Sequence, residues 1–273
     1  MQEQFVELRQ MLGGRSVAQF GRLPQAERNA LFRHHLVHNH IIVSEAEDDD
    51  GCDPRIASGF LLRQHRFMGN DETGKQLVKD ANGIYYGENR FLVRLHWLCE
   101  FMSERLEGEE TDAPIAPLVG NIIVEVDLHD NKHERLKYDS DGESDCDGIA
   151  NGGESSRLAA WTVNRLRDLF LFTKATSITL RLQGGGMPDG SDLATHQTIK
   201  DIAEVVKELI GSFGNRFEIG KMLDSGDRPY QSLRDYWMRP TEQARINVSI
   251  GCASFKEMMQ IEIEEWTHNV PSN

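Results

Sequence analysis

Val119-Gly120-Asn121-Ile122-Ile123-Val124-Glu125-Val126-Asp127-Leu128 reads as a β-strand. Ile122, Val124, Val126 and Leu128 recur at every second position, the period of a strand with one apolar face. Downstream, Leu158, Trp161, Leu166, Leu169 and Phe170 fall at helical spacing, and Ile178, Leu180 and Leu182 alternate again. Ile199, Ile202, Val206, Leu209 and Phe213 make a further helix, and Phe217 with Ile219 a third short strand. Strand, helix, strand, helix, strand in that order predicts a mainly parallel sheet with right-handed helical crossovers. The tail adds a helix over 233–238 and another carrying Phe255, Met258, Met259, Ile263 and Trp266.

Upstream the rhythm is helical. Residues 3–12 predict a short amphipathic helix stopped by Gly13-Gly14, and a second helix starts at Pro24 and runs to Leu36. Ile41-Ile42-Val43 reads as a strand, whereas Gly59 to Met68 leaves its class open. Leu77, Val78, Ala81, Ile84 and Tyr85 then form a helix, with Gly87 where a left-handed C-terminal residue is wanted. Phe91-Leu92-Val93 follows as a strand, and Leu95, Leu98, Cys99, Met102 and Leu106 as a helix. The expected fold is therefore α/β, with α+β left open. A helical part with short strands, residues 1–110, precedes an α/β body with crossover helices, residues 111–273. The boundary segment Glu107–Pro117 also reads as a loop within one continuous domain.

The chain of 273 residues is 39% hydrophobic and 27% charged, a globular composition on the polar side. Its net charge of −14 is concentrated. Glu45, Glu47, Asp48, Asp49, Asp50 and Asp53 stand without a base among them, and so do Asp139, Asp141, Glu143, Asp145, Asp147 and Glu154. These two segments read as solvated acidic loops on a nearly neutral body. No basic stripe offsets phosphate repulsion, so nucleic acid is not an expected partner. No apolar run approaches the ~20 residues that span a bilayer, so neither is a membrane. Met1-Gln2-Glu3-Gln4 lacks the basic and apolar regions of a signal peptide. Cys52, Cys99, Cys146 and Cys252 are far apart, as in a reducing compartment, and the expected location is intracellular, cytoplasmic or nuclear.

Four patterns carry chemistry at first sight. Gly69-Asn70-Asp71-Glu72-Thr73-Gly74-Lys75 has the frame of a phosphate-binding loop, but Gln76 replaces the magnesium-ligating hydroxyl and Asp71 and Glu72 oppose a triphosphate. The competing reading is a polar turn before a helix. Glu143, Asp145, Asp147, Gly148, Asn151 and Glu154 approach calcium-loop spacing, which an acidic insert also explains. His34 and His38 lie one helical turn apart without a nearby acid, as on a solvated face. Gly184-Gly185-Gly186 sits between a strand and a helix, where Asp189 and Asp192 repel phosphate and Ser191 or Asp192 reads as an N-cap. No nucleophile elbow or zinc-protease pair is present. We assign no catalytic residue, metal ligand or cofactor.

The run Tyr85-Tyr86-Gly87-Glu88-Asn89-Arg90-Phe91 resembles the tyrosine-glycine-glutamate-asparagine-x-phenylalanine signature of a large group of fungal F-box-like proteins. Leu23-Pro24-Gln25-Ala26-Glu27-Arg28-Asn29-Ala30-Leu31-Phe32 resembles the opening of the F-box-like module in that group, with Ala26 at the acidic place. Trp97-Leu98-Cys99-Glu100-Phe101, the Val119–Leu128 strand and Leu166-Arg167-Asp168-Leu169 extend the likeness, which spans residues 23 to about 183. The resemblance implies a non-enzymatic protein-interaction protein. It implies docking to a ubiquitin-ligase adaptor through Leu23, Pro24, Leu31 and Phe32, as in a substrate receptor of an SCF-type ligase. On the residues alone, Leu23–Val37 also reads as a helix of the core. The alternative function is a nucleotide-dependent hydrolase built on residues 69–75.

Overall fold

The computed structural model describes residues 8–38, 42–45, 68–69, 71–104, 113–128, 152–223 and 230–268. It divides into two units, Met1–Ile123 with Leu171–Ser177 and Val124–Phe170 with Ile178–Asn273.

In the first unit the helical turn at residues 8–11 ends at Gly13 and Gly14, whose φ angles of 61° and 76° suit glycine alone at little cost. The Gly14 amide returns to the Arg9 carbonyl at 2.8 Å. Helix α1 (Val17–Gly21) is started by Ser16 and Gln19, which cap each other's backbone reciprocally. Helix α2 (Gln25–Leu36) follows Pro24 and turns Phe32 and Leu36 inward. Strand β1 (Ile42–Glu45) precedes helix α3 (Glu72–Glu88) in the described chain. The predicted apolar stripe of α3 is the buried one: Leu77, Val78, Ala81, Ile84 and Tyr85 all lie in the core. Strand β2 (Arg90–Arg94) runs parallel to β1, with Ile42 opposite Arg90 and Glu45 opposite Val93.

Two local expectations are corrected here. Gly87 does not end α3 in a left-handed conformation, because the helix runs to Glu88 and Asn89 is its C-cap. The close approach there is permitted by Gly120, on which a Cβ would stand 2.1 Å from the Gly87 carbonyl oxygen. The helix expected from Leu95 to Leu106 is also shorter. A 3-10 turn (Leu95–Trp97) leads into helix α4 (Leu98–Met102), and strand β3 (Ser103–Glu104) then pairs antiparallel with β4 (Ala113–Pro114). The Met102 carbonyl accepts from the Ile115 amide at 2.9 Å, so the ladder satisfies it in place of another helical turn. Strand β5 (Asn121–Asp127) begins in this unit, where the strand order is β1-β2-β5.

The end of β5 opens the second unit. Helix α5 (Gly152–Arg167) is followed by a 3-10 turn (Asp168–Leu171) and strand β6 (Ser177–Gln183). Helix α6 (Leu193–Phe213) buries Ile199, Ile202, Val206, Leu209 and Phe213, the stripe read from the sequence. Strand β7 (Phe217–Met222) pairs parallel with β6, with Ile178 opposite Phe217 and Gln183 opposite Met222. Strand β8 (Gln231–Ser232) adds an antiparallel edge, so the order here is β5-β6-β7-β8. The helix expected over 233–238 is a 3-10 turn, Arg234–Trp237. Helix α7 (Glu242–Ser249) has no counterpart in the sequence pattern, since Ala244 is its one buried residue and it carries no apolar stripe. Its start is set by Thr241, whose hydroxyl accepts from the Ala244 amide at 3.0 Å. Helix α8 (Phe255–His268) packs against α6, α7 and the Arg234–Trp237 turn.

Helices with a mostly parallel sheet make this an α/β fold. Among the described residues no helix is long and apolar enough to cross a membrane.

Candidate functional site

The Tyr85–Phe91 run acts as a structural joint. Asn89 is 1% exposed. Its side-chain amide donates to the Leu36 carbonyl at 2.7 Å and the Tyr85 carbonyl at 2.9 Å, and its oxygen accepts from the His38 amide at 2.8 Å. One side chain thus satisfies the ends of α2 and α3 together. Glu88 accepts twice from the Arg33 guanidinium, at 2.8 and 2.9 Å, and Arg28 reaches Asp80 at 3.1 Å. Tyr85, Tyr86, Phe91 and Phe101 pack as a ring cluster behind the joint.

The four expected docking residues are split by burial. Phe32 is fully buried, with its ring centroid 5.2 Å from that of Phe20. It is a core residue. Leu23 and Leu31 are half-buried and Pro24 is exposed, so these three remain where a partner can reach them. The open side of α2 is otherwise polar, carrying Gln25, Glu27, Arg33 and His34 with Ala26 and Ala30.

The phosphate-loop frame folds as the turn before a helix. Asp71 is the N-cap of α3, and its carboxylate accepts from the Gly74 amide at 2.7 Å. A carboxylate therefore occupies the amide at which a phosphate would bind. Lys75 lies in solvent, 3.5 Å from Glu72. The rings of His34 and His35 meet edge to face at 4.9 Å. Burial, then the neighbouring His34, lowers the His35 pKa below the usual imidazole value. Among the described residues no group of three or more histidines, cysteines or acids could hold a metal. The calcium-type spacing falls largely on residues 143–151, outside the described residues.

The densest polar site lies in the second unit. Lys221 of β7 has no exposed side-chain surface. Its ammonium pairs with Asp192 and donates to the Thr195 hydroxyl at 2.5 Å. The Asp192 carboxylate also accepts from the Thr195 amide at 3.1 Å, the Thr195 hydroxyl at 2.9 Å and the Met187 amide at 3.3 Å. Burial pushes the Asp192 pKa up, but Lys221 and the Thr195 donors outweigh it and hold the group at about 2. Gly185, at φ 77°, closes over this pair, and a Cβ there would stand 2.7 Å from the Lys221 nitrogen. The loop is fixed at further points. The Gly184 amide donates to the Met222 carbonyl at 2.9 Å, and the Tyr236 hydroxyl to the Asp189 carbonyl at 2.6 Å. Burial, then Asp189, pushes the Tyr236 pKa up to about 12, so it stays a donor.

No protein-family model, curated protein or solved structure matches this chain.

What the Lys221 arrangement can do follows from its donors and acceptors. A carboxylate offers about four lone-pair sites, and here four donors from the protein fill them. Asp192 has no acceptor left for a substrate proton. What the network achieves is a fixed loop. Above it Met187 and Leu193 are 49% and 83% exposed. Part of this site is visible in the chain itself. Asp192 is one of the two expected N-caps, whereas Lys221 stands out only through the buried register it shares with Phe217 and Ile219.

Proposed function

We propose that this chain is a non-enzymatic protein-interaction protein, a divergent F-box-like protein acting inside the cell as a substrate-recognition subunit. In this reading the loop at residues 184–193 meets the recognised protein. Leu23, Pro24 and Leu31 are the residues at the start of α2 and within it that meet a ubiquitin-ligase adaptor. The supporting observation is the network of Lys221, Asp192 and Thr195, in which the Asp192 carboxylate takes four donors, beneath the exposed Met187 and Leu193. Polar groups bonded to one another make a scaffold, and exposed apolar side chains on a fixed loop make a contact surface.

The test is a titration of the purified chain with the purified ligase adaptor at micromolar concentration. Binding that is lost on replacing Leu23 and Pro24 by alanine supports the reading. Absence of binding removes the ligase role and leaves a divergent relative. Phe32 is unsuitable for this purpose, because truncating a buried phenylalanine costs about 3–5 kcal/mol whatever its role.

A further inference from the structure

Helices α6 and α8 and the Arg234–Trp237 turn border a cleft of ≈ 350 Å³, at the lower end of the range of small-molecule sites. Its more buried lining is mostly apolar and aromatic, with Tyr236, Trp237, Pro240 and Ile263, and holds one polar side chain, Gln260, whose amide donates to the Asp235 carbonyl at 3.0 Å. Its exposed lining carries three bases, Lys207, Arg239 and His268. The one acid in the lining is Glu264, and its carboxylate is already paired with Arg245, which lies outside the lining.

The bases differ in how far they are committed. Lys207 spends one proton on the Thr267 hydroxyl at 3.0 Å and keeps two. His268 places Nδ1 2.6 Å from the Glu264 carbonyl, an acceptor only, so Nδ1 carries the proton there. Arg239 forms no hydrogen bond or ion pair with any described residue. Its planar guanidinium is suited to a two-point contact with a carboxylate. Trp237 is held by its indole N–H, which donates to the Ala203 carbonyl at 2.9 Å, so the indole is a fixed wall.

We propose that this cleft binds an organic carboxylate with an apolar body: Arg239 and Lys207 take the carboxylate, and Trp237 with Ile263 takes the body. The site does not depend on the interaction function above. A carboxylate of this kind is found on a free small acid and at the C-terminus of a peptide ending in an apolar residue.

The experiment follows the Trp237 indole N–H resonance in the isotope-labelled full chain. Phenylacetate should shift it saturably below about 10 mM, a weak but measurable affinity. Phenylacetamide and inorganic phosphate, lacking the charge and the body respectively, should leave it unmoved. Arg239→Ala and Lys207→Ala, both at exposed positions, should each weaken binding about tenfold. An acetylated tripeptide ending in phenylalanine is tested as free acid and as amide. A free acid that binds more tightly than phenylacetate assigns the site to a chain terminus, and equal affinity assigns it to a small acid. The proposal is overturned if neither acid moves Trp237, if the amides or phosphate bind as well, or if Arg239→Ala binds unchanged while its spectrum stays native.

Discussion

The Lys221 ammonium is wholly buried against the Asp192 carboxylate, which also caps α6. An ion pair in that position is not a simple gain, because desolvating both charges offsets much of their attraction. Removing one partner is another matter. Lys221→Met leaves Asp192 and the Thr195 hydroxyl facing an apolar chain and should cost about 3–5 kcal/mol in urea unfolding. Lys221→Met combined with Asp192→Asn should recover part of the loss, since the buried charge is gone. A double variant no more stable than the single one would show that the pair does not carry this interaction.

The low pKa of Asp192 gives a pH signature. A carboxyl held at about 2 when folded and near 4 when unfolded stabilises the fold above its unfolded value. That contribution, about 2 kcal/mol in order of magnitude, is lost as the pH falls through about 2. The unfolding midpoints of wild type and Asp192→Asn should therefore differ at neutral pH and converge near pH 2. A constant difference over that range would rule out titration of Asp192 as the cause.

The close approach of Gly120 to Gly87 predicts contrasting glycine substitutions. Gly120→Ala drives a methyl to 2.1 Å from a backbone oxygen, which cannot swing aside. A loss of about 2–3 kcal/mol is expected, typical of overpacking. Gly83, on α3, has nothing within 4 Å of the position a Cβ would take, and Gly83→Ala should stabilise by roughly 0.5–1 kcal/mol through helix propensity. Thermal unfolding of both variants reads the contrast directly, and equal effects would refute the packing role of Gly120.

Asn89 should be intolerant of even near-isosteric change. Asn89→Asp keeps the acceptor for the His38 amide but loses both donors, leaving the Leu36 and Tyr85 carbonyls without them. A cost of about 2–4 kcal/mol follows from two lost donors and a buried charge. Chemical denaturation of this variant near wild-type stability would mean that water replaces the amide.

The nucleotide alternative makes its own prediction. With Asp71 on the Gly74 amide, magnesium-ATP and magnesium-GTP should not raise the melting temperature, and Lys75→Ala should behave as wild type. Ligand at about 100 times its dissociation constant would add about 2.7 kcal/mol, which a thermal-shift assay detects easily. A shift abolished by Lys75→Ala would restore the enzyme reading.

The central strands and the long helices are legible in the sequence because a buried face imprints a period of two on β6 and, through Ile122, Val124 and Val126, on β5, where Ile123 is buried as well, and a helical period on α3 and α6. Helix α7 is not, since its single buried residue, Ala244, leaves no period to detect. Residues 95–106 mislead because Leu98 and Phe101 keep helical spacing while the chain turns away at Ser103 to pair with Pro114. The N-cap at Asp192 is a local signal and can be read. Its partner Lys221 comes from β7, far along the chain, and a lysine in sequence looks like a solvated charge until the register shows it facing inward.

Amide hydrogen exchange at Met187 and Thr195, in wild type and in Lys221→Met, reads how firmly the Lys221–Asp192 pair holds the loop. If Lys221 and Asp192 hold the loop at residues 184–193 as a fixed platform, both amides are protected in wild type. They then lose that protection in the variant well before the core of α6 opens. Exchange at Met187 and Thr195 as fast as in an unstructured peptide in wild type, or protection unchanged in Lys221→Met, would contradict it.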